Sequence, residues 1–220
     1  MPMRASAVTA ERLAYWYMRF NGFLQIENFI VHPGGRGGQR TDADLLGVRF
    51  PHRTEMVLDI PDAPMRDDTQ RLRLSDSVID VVIAEVKTNQ PCQLNGPWTD
   101  AQRQNMHRVL YAIGCLRKDI VNAAAESIYE TGSFESDGLR VRLMAFGRQK
   151  SGELSSRYPT LVQITWDDAT SFIYERLFSY RRSKADAQQW EADGRWLRRA
   201  AETAHDASEF RSEVLRAIGT

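Results

Sequence analysis

The sequence predicts a mixed α/β domain in which helices flank a central β-sheet, followed by a C-terminal helical extension. Three observations lead to this fold class. The first is an amphipathic stretch with helical periodicity at the start of the chain. The second is a run at residues 77–87 that is apolar on both faces. The third is a stretch with helical periodicity after this run, followed by a stretch in which apolar and polar residues alternate. A hydrophobic share of 42% and a charged share of 26% are typical of a globular chain with a sizeable core.

The first predicted element is a helix over residues 9–20. Thr9 is a suitable N-cap, Glu11 places a carboxylate in the first turn, and Asn21-Gly22 is a helix stop. The stripe that faces the core consists of Leu13, Trp16, Tyr17 and Phe20.

Two strands and a long connection are predicted next. The first strand covers residues 23–31 and ends in a glycine-rich segment at 32–38. This segment lacks the Gly-Lys-Ser/Thr ending and the following helix of a phosphate-binding loop, so we interpret it as a plain turn. The second strand covers residues 42–50. The polar residues 51–76 are interpreted as a surface excursion that includes a short extra strand at 56–60.

The strongest strand signal lies at residues 77–87, because apolar side chains on both faces indicate a central position in a sheet. The remaining predicted elements are helices over residues 99–118 and 120–129, strands over 139–147 and 161–166, and helices over 167–180 and 186–218. We predict a main domain over residues 1–180 and a helical extension over residues 181–220.

Charge and cysteine content restrict the function. The sequence holds 29 Lys and Arg against 29 Asp and Glu, so it lacks the strongly basic character that indicates nucleic-acid binding. Cys92 and Cys115 stand in no CxxC or Cys/His arrangement, so we expect reduced thiols rather than a zinc site. Because the sequence contains neither an apolar run long enough to span a membrane nor a signal-peptide core, we expect a cytoplasmic protein.

Two short stretches carry the residues that indicate chemistry. Asp44 opens an apolar strand, and Glu85 and Lys87 stand at the end of the strand at 77–87, where both side chains leave the sheet on the same face. Burying such a pair is costly unless the charges have partners, and a metal ion and a phosphate are natural partners. If the two strands pair antiparallel, Asp44 lies beside Glu85.

Two carboxylates on neighbouring strands make a hard-oxygen site suited to Mg²⁺. A cation held in this way activates water near neutral pH and neutralises the charge that develops during phosphodiester hydrolysis. A nearby lysine orients or deprotonates the water, or neutralises the phosphate. The sequence leaves these roles of Lys87 open.

An acidic residue that opens a short strand, with Glu-x-Lys at the end of the next strand, resembles the PD-(D/E)xK nuclease superfamily of restriction endonucleases, Holliday-junction resolvases and repair nucleases. The resemblance covers residues 9–147 and implies a restriction-endonuclease-like core of helix, three strands, helix and strand. It implies Asp44 and Glu85 as ligands of Mg²⁺, with Mn²⁺ as a substitute, Lys87 as the catalytic lysine, and DNA as the substrate. One departure is Ala43, which stands where the motif has proline.

Three further positions each have a functional and a structural interpretation. Glu11 matches by position a glutamate that reaches the site from the first helix in several relatives, or it only favours the helix N-terminus. Asp42 shares a strand face with Asp44 and either holds a metal ion or belongs to a turn. Gln102, on the predicted helix after Lys87, either lies near the phosphate or is an ordinary exposed residue.

Aromatic and basic side chains near the site and at the C-terminus also have two interpretations. Trp98, in the loop after the strand at 77–87, either flanks the site or closes the core. The last predicted helix either touches nucleic acid or is an ordinary amphipathic helix. Its relevant side chains are Trp190, Arg195, Trp196, Arg198 and Arg199.

The leading interpretation is a Mg²⁺-dependent nuclease that hydrolyses DNA phosphodiester bonds. The alternative is a catalytically silent subunit that binds nucleic acid or protein in a bacterial defence or repair assembly. A neutral chain needs another source of DNA affinity, which favours an assembly, whereas the intact set of Asp44, Glu85 and Lys87 favours the enzyme. A homodimer and a larger assembly both stay open, because a sequence does not show symmetry.

Overall fold

The structure is a computed structural model that describes residues 8–31, 41–57, 63–184 and 188–220. The glycine-rich segment at 32–38 and most of the extra strand predicted at 56–60 lie outside the described residues. At Asp42 the backbone is described but the side chain is not. Met56 forms an isolated antiparallel bridge with Pro64.

The described residues form a six-stranded mixed sheet at the centre of the fold. Its strands are β1 (Leu24–Val31), β2 (Thr41–Arg49), β3 (Ile79–Val86), β4 (Ser133–Ser136), β5 (Leu139–Gly147) and β6 (Val162–Thr165). The order across the sheet is β1-β2-β3-β5-β4, and β6 also pairs with β5. The pairs β1–β2, β2–β3 and β4–β5 are antiparallel, whereas β3–β5 and β5–β6 are parallel.

Helices precede, connect and follow the strands. They are α1 (Ala10–Phe20), α2 (Thr69–Leu72), α3 (Gly96–Thr99), α4 (Asn105–Ile113), α5 (Val121–Thr131), α6 (Gly152–Arg157), α7 (Trp166–Ser179), α8 (Ala192–Thr203) and α9 (Ala207–Ile218), with a 3₁₀ turn at Ala101–Arg103. The N-cap prediction for α1 is confirmed, because the Thr9 hydroxyl accepts a hydrogen bond from the Arg12 N–H.

Apolar layers cover both faces of the sheet. On one face, Val82 and Ala84 of β3 pack in one layer with side chains of α1, α7, α8 and α9. On the other face, Val81 and Ile83 pack with side chains of α4 and α5. Seven of the eight residues of β3 are buried, which confirms the prediction of a central strand. The mixed α/β class with helices on both sides of a sheet is therefore confirmed.

The helix predicted over residues 99–118 is wrong in extent. The chain forms α3 and the 3₁₀ turn first, and α4 then ends at Ile113. Gly114 adopts a φ of 69° and caps the helix by donating its N–H to the Leu110 carbonyl. Leu116 continues the apolar period in the sequence, but the left-handed glycine ends the helix before that position.

The helix predicted over residues 186–218 is also wrong, because the chain there forms two helices, α8 and α9. Ala204 ends α8 in an extended conformation. The Asp206 carboxylate then caps α9 by accepting hydrogen bonds from the N–H groups of Ser208 and Glu209. The apolar period continues through this break, so periodicity alone did not reveal it.

The strand β4 was missed in the sequence, although its turn carries a clear signal. Asp137 and Gly138 connect β4 to β5 with φ values of 51° and 74°, as a two-residue hairpin turn requires. An Asp-Gly pair between two short strands is a strong hairpin pattern. The short helices α2 and α6 were likewise not predicted.

The C-terminal helices share their core with the N-terminal helix. Leu197 of α8 and Phe210 of α9 lie in the same apolar layer as Trp16 of α1. The Trp190 ring lies 5.0 Å from the Trp16 ring and 5.7 Å from the Phe20 ring, centroid to centroid. These contacts favour the amphipathic interpretation of the C-terminal helices. The division at residue 180 stays a prediction.

Candidate active site

The register of β2 against β3 brings Asp44 to the side of Glu85. Leu45 pairs with Ala84 in the antiparallel ladder, so the next step along both strands places Asp44 opposite Glu85. The antiparallel pairing from which the sequence predicted this juxtaposition is confirmed.

A hydrogen bond ties the Asp44 carboxylate to the end of β3. Its Oδ2 accepts from the Val86 N–H at 2.7 Å. Val86 lies between Glu85 and Lys87, so this bond fixes Asp44 against the Glu-x-Lys segment. On the other side of Asp44, the ladder places Asn28 of β1, whose φ of 50° is uncommon for a residue other than glycine.

The Glu85 carboxylate is buried and accepts hydrogen bonds from three side chains. Its side chain is 3% exposed. Lys87 Nζ lies 2.7 Å from Oε1, and the Asn95 amide also donates to Oε1. Trp98 Nε1 donates to Oε2 at 2.8 Å. Both carboxylate oxygens are therefore held in place.

This arrangement offsets the cost of burying a charge. Moving an ion out of water costs several kcal/mol even after relaxation. A hydrogen bond to a charged group contributes about 1.5–3 kcal/mol, so three such bonds offset a cost of this size. They also restrict Glu85 to one rotamer. A site that holds a ligand in a fixed geometry requires such a restriction.

Asn95 is a site residue that the sequence did not assign, whereas Trp98 was predicted either to flank the site or to close the core. Asn95 precedes α3, Pro97 occupies its first turn, and Trp98 is buried at 1% exposure. Trp98 therefore packs in the core and also donates to Glu85. Both of its interpretations, flanking the site and closing the core, apply. A buried tryptophan usually finds an acceptor for its N–H, and this rule could have linked Trp98 to a nearby buried carboxylate.

The loop that carries Asn95 and Trp98 is held against the end of β5. Cys92 N donates to the Gln149 carbonyl at 2.8 Å, and Arg148 N donates to the Gln90 carbonyl at 2.8 Å. Gly147 permits this approach, because a Cβ atom there would lie 2.5 Å from Cys92 N. Only glycine fits at this position without a shift of backbone.

We predict that Gly147→Ala lowers the free energy of unfolding by about 1–3 kcal/mol, the usual cost of overpacking. The added Cβ pushes the loop away from β5 and weakens the hold of Asn95 and Trp98 on Glu85. Denaturant unfolding measures this cost. Gly152→Ala is the control, since a Cβ there meets no atom within 4 Å. Equal stability of the two variants would contradict the predicted tight approach.

Lys87 stands at the border between the buried carboxylate and solvent. Its side chain is 19% exposed, compared with 3% for Glu85. The residue after it is also fixed, because Trp166 Nε1 donates to the Thr88 carbonyl at 2.8 Å. The ammonium group can therefore move toward solvent while its backbone stays in place.

Among the other predicted site residues, neither Glu11 nor Gln102 forms a hydrogen bond with Glu85 in the described part of the chain, and the Asp42 side chain is not described. Glu11 lies in the first turn of α1, which packs on the opposite face of the sheet, and it forms no hydrogen bond with Glu85 or Lys87. Gln102 is exposed in the 3₁₀ turn, where its N–H donates to Asp100 at 3.0 Å. The backbone of Asp42 pairs with Ile30, and its side chain lies outside the described residues. Roles for these residues stay predictions.

The donor set fits a hard divalent cation. Asp44 and Glu85 offer carboxylate oxygens from neighbouring strands, which is the chemistry that Mg²⁺ prefers, and Mg²⁺ usually keeps several water ligands. Within the described residues, no group of three or more His, Cys, Asp and Glu side chains is arranged as metal ligands. A cation at this site would therefore be held by the two carboxylates together with water and substrate oxygens.

Asp80 and Cys92 are two buried groups outside the site that have structural explanations. Asp80 pairs with Arg140 at 2.9 Å and with Arg142 at 2.6 Å, which joins the starts of β3 and β5. Burial alone would raise the pKa of Asp80, but the two guanidinium groups outweigh burial and lower it. Burial raises the pKa of the Cys92 thiol to about 12, so this thiol stays protonated and is a poor nucleophile. Cys92 and Cys115 are both free, as predicted.

Comparison with protein-family models, curated proteins and solved structures gives no match for this chain. In the described part of the chain, no helix is both long and apolar enough to cross a membrane. A functional assignment therefore depends on the geometry of the site and on the motif in the sequence.

Proposed function

We propose that this chain is a metal-dependent nuclease with a restriction-endonuclease-like fold that hydrolyses DNA phosphodiester bonds. One observation carries the proposal: the Asp44 carboxylate accepts a hydrogen bond at 2.7 Å from the N–H of Val86, the residue after Glu85, and Lys87 Nζ lies 2.7 Å from Glu85 Oε1. Charged groups gathered in this way at the end of a largely buried strand are typical of functional sites, which favours a role in chemistry.

The order of elements supports the proposal. The helix α1 precedes three strands that pair antiparallel, and α4 and α5 then lead to β5, which is parallel to β3. This is the order of helix, three strands, helix and strand that the resemblance implies. The hairpin strand β4 and the short helices are additions to it.

The residues of the site have separable roles in this proposal. Asp44 and Glu85 would hold the cation, with Val86 N–H fixing Asp44 and with Asn95 and Trp98 fixing Glu85. When bound, the cation lowers the pKa of the attacking water and neutralises charge on the phosphate. Lys87 then turns from Glu85 toward the substrate, where its ammonium group orients the water or neutralises a phosphate oxygen.

A cleavage assay tests the proposal. The substrates are supercoiled, linear, branched and single-stranded DNA and RNA, each with Mg²⁺, Mn²⁺ or EDTA. We expect metal-dependent cleavage that both Glu85→Ala and Lys87→Ala abolish. The proposal would be overturned if the folded protein took up no metal and bound the substrates without cleaving any of them. This result would favour a catalytically silent binding subunit.

The Trp98→Phe substitution is predicted to weaken metal binding while retaining the fold. Phenylalanine keeps the aromatic packing but removes the donor to Glu85 Oε2. Loss of a partner that orients a metal ligand typically costs about 10–100-fold in metal affinity or activity, so we expect a weakening of Mn²⁺ binding in this range. Isothermal titration calorimetry measures it.

Trp166→Phe is the matched control for this substitution. Trp166 is equally buried at 1% exposure, but its Nε1 donates to the main-chain carbonyl of Thr88 rather than to a carboxylate. The control should retain Mn²⁺ affinity within a few-fold. Equal affinity of Trp98→Phe and wild type would show that Trp98 has only a packing role.

A further inference from the structure

A basic pocket lies beyond β6 and has no role in the site described above. Its volume is about 350 Å³, which falls within the range of small-ligand sites. Three cationic side chains line it, and none of its described lining residues is a carboxylate. The polar lining residues are Gln70, Arg71, Arg73, Lys150, Ser155 and Gln163.

Two of the three cations are available to a ligand. Arg71 is ion-paired with Asp168 at 2.8 Å and with Asp68 at 3.3 Å. Arg73 and Lys150 form no ion pair with any carboxylate in the described ranges. Their charges therefore favour an anion in the pocket.

Arg73 is also held in position. It caps α2 with a φ of 49°, and its guanidinium donates to the Thr160 carbonyl at 2.8 Å. A guanidinium that is already ordered loses little side-chain entropy when an oxyanion binds to it. Gln163 is fixed as well, because its Nε2 donates to Ser155 Oγ at 2.9 Å.

The sheet register relates this pocket to the candidate active site. Glu85 pairs with Ala145, and Ala145 pairs with Gln163, both in parallel ladders. Gln163 therefore lies on the same face as Glu85, at the same level along the strands and two strand spacings away, which is about 10 Å. Arg73 lies toward the other end of the strands, because its carbonyl accepts a hydrogen bond at 3.0 Å from Arg140, the partner of Asp80.

We infer that this pocket binds a phosphate group of the nucleic acid whose cleavage is proposed above, away from the scissile bond. The inference rests on the proposed function for the identity of the ligand. The pocket would bind either an internal phosphodiester or a terminal phosphate, since both present oxyanions to Arg73 and Lys150. It also gives a chain of zero net charge a local source of phosphate affinity.

Binding in EDTA separates this inference from catalysis. The probes are short fluorescent single-stranded DNA oligonucleotides, with and without a 5′-phosphate, measured by anisotropy over a salt series. For Lys150→Gln we expect about a tenfold weaker Kd and a salt slope reduced by about 0.7, the value for one phosphate contact on single-stranded DNA. Arg73→Gln should behave in the same way, and Arg73→Lys should recover part of the affinity.

Lys118→Gln and Arg117→Gln are the controls, because they remove one charge from exposed residues outside the pocket lining. Lys150→Gln is the decisive variant, since Arg73→Gln also removes the hydrogen bond to Thr160. A preference for the 5′-phosphorylated probe, with competition by inorganic phosphate, would identify a terminal phosphate as the ligand. Equal binding of both probes would identify an internal one.

The outcomes distinguish the two proposals. Weaker binding by Lys150→Gln than by the controls supports the phosphate-binding role of the pocket. This conclusion holds even if wild type cleaves no substrate, and only the nuclease proposal then fails. If Lys150→Gln has the same affinity and the same salt slope as the controls, the phosphate-binding role of the pocket is overturned, even if wild type cleaves DNA. Absence of oligonucleotide and phosphate binding by wild type also overturns it.

Discussion

Glu85→Gln is expected to reduce metal-dependent DNA cleavage by at least about 10³-fold, because the charge stabilisation that a catalytic metal supplies is worth several kcal/mol. The amide keeps the shape of the carboxylate but has no charge for a cation. It also presents an N–H₂ group to Lys87, Asn95 or Trp98, all of which are donors to Glu85. Single-turnover cleavage of labelled DNA in Mg²⁺ measures the effect.

Asp80→Asn is the matched control, because Asp80 is also a buried carboxylate with cationic partners, at the opposite end of β3. Removing one partner of a buried ion pair costs about 3–5 kcal/mol, so this variant should be less stable than wild type. Its folded fraction should still cleave DNA at the wild-type rate. An equal loss of activity in both variants would indicate that Glu85 acts through stability and not through the metal.

Lys87→Gln is expected to separate cleavage from metal binding. Loss of a group that transfers a proton or stabilises charge lowers the cleavage rate by about 10²–10⁴-fold. The affinity for Mn²⁺ should stay the same or increase, because the ammonium group that occupies Glu85 Oε1 no longer competes with the cation. Single-turnover rates and calorimetric titrations on the same preparation give both quantities.

Lys87→Arg is the companion variant, since it keeps the charge but cannot donate a proton near neutral pH. Partial activity in Lys87→Arg would assign charge neutralisation to Lys87, whereas activity as low as that of Lys87→Gln would assign proton transfer. A fall in Mn²⁺ affinity that parallels the fall in rate would contradict the separate roles of Lys87 and Glu85.

The central sheet and the juxtaposition of Asp44 and Glu85 could be predicted from the sequence for a physical reason. A strand apolar on both faces must lie in the middle of a sheet, and period-two alternation fixes which side chains share a face. Charged residues at the end of such a strand are therefore visible without a structure. The strand β3 and its antiparallel partner β2 agree with this expectation.

Features that depend on contacts between distant segments could not be predicted in this way. Asn95 lies in a loop whose path depends on Gly147, which lies at the end of a strand far along the chain, so the contact of Asn95 with Glu85 was not predicted, whereas Trp98 was one of the residues considered to flank the site. The face on which α1 packs is likewise a tertiary property, so Glu11 could not be placed relative to Glu85 from helical period alone. The breaks after α4 and between α8 and α9 come from local caps that the apolar period does not register.

A calorimetric titration of Mn²⁺ into wild type, Asp44→Asn and Glu85→Gln tests the central claim most directly, because the proposed activity requires both carboxylates to hold one cation. We predict that wild type binds a single Mn²⁺ ion per chain. Each of the two variants should lose more Mn²⁺ affinity than Trp98→Phe, that is, more than the roughly 10–100-fold that loss of a partner orienting a metal ligand typically costs. Absence of binding by wild type, or the same affinity in all three proteins, would contradict the claim.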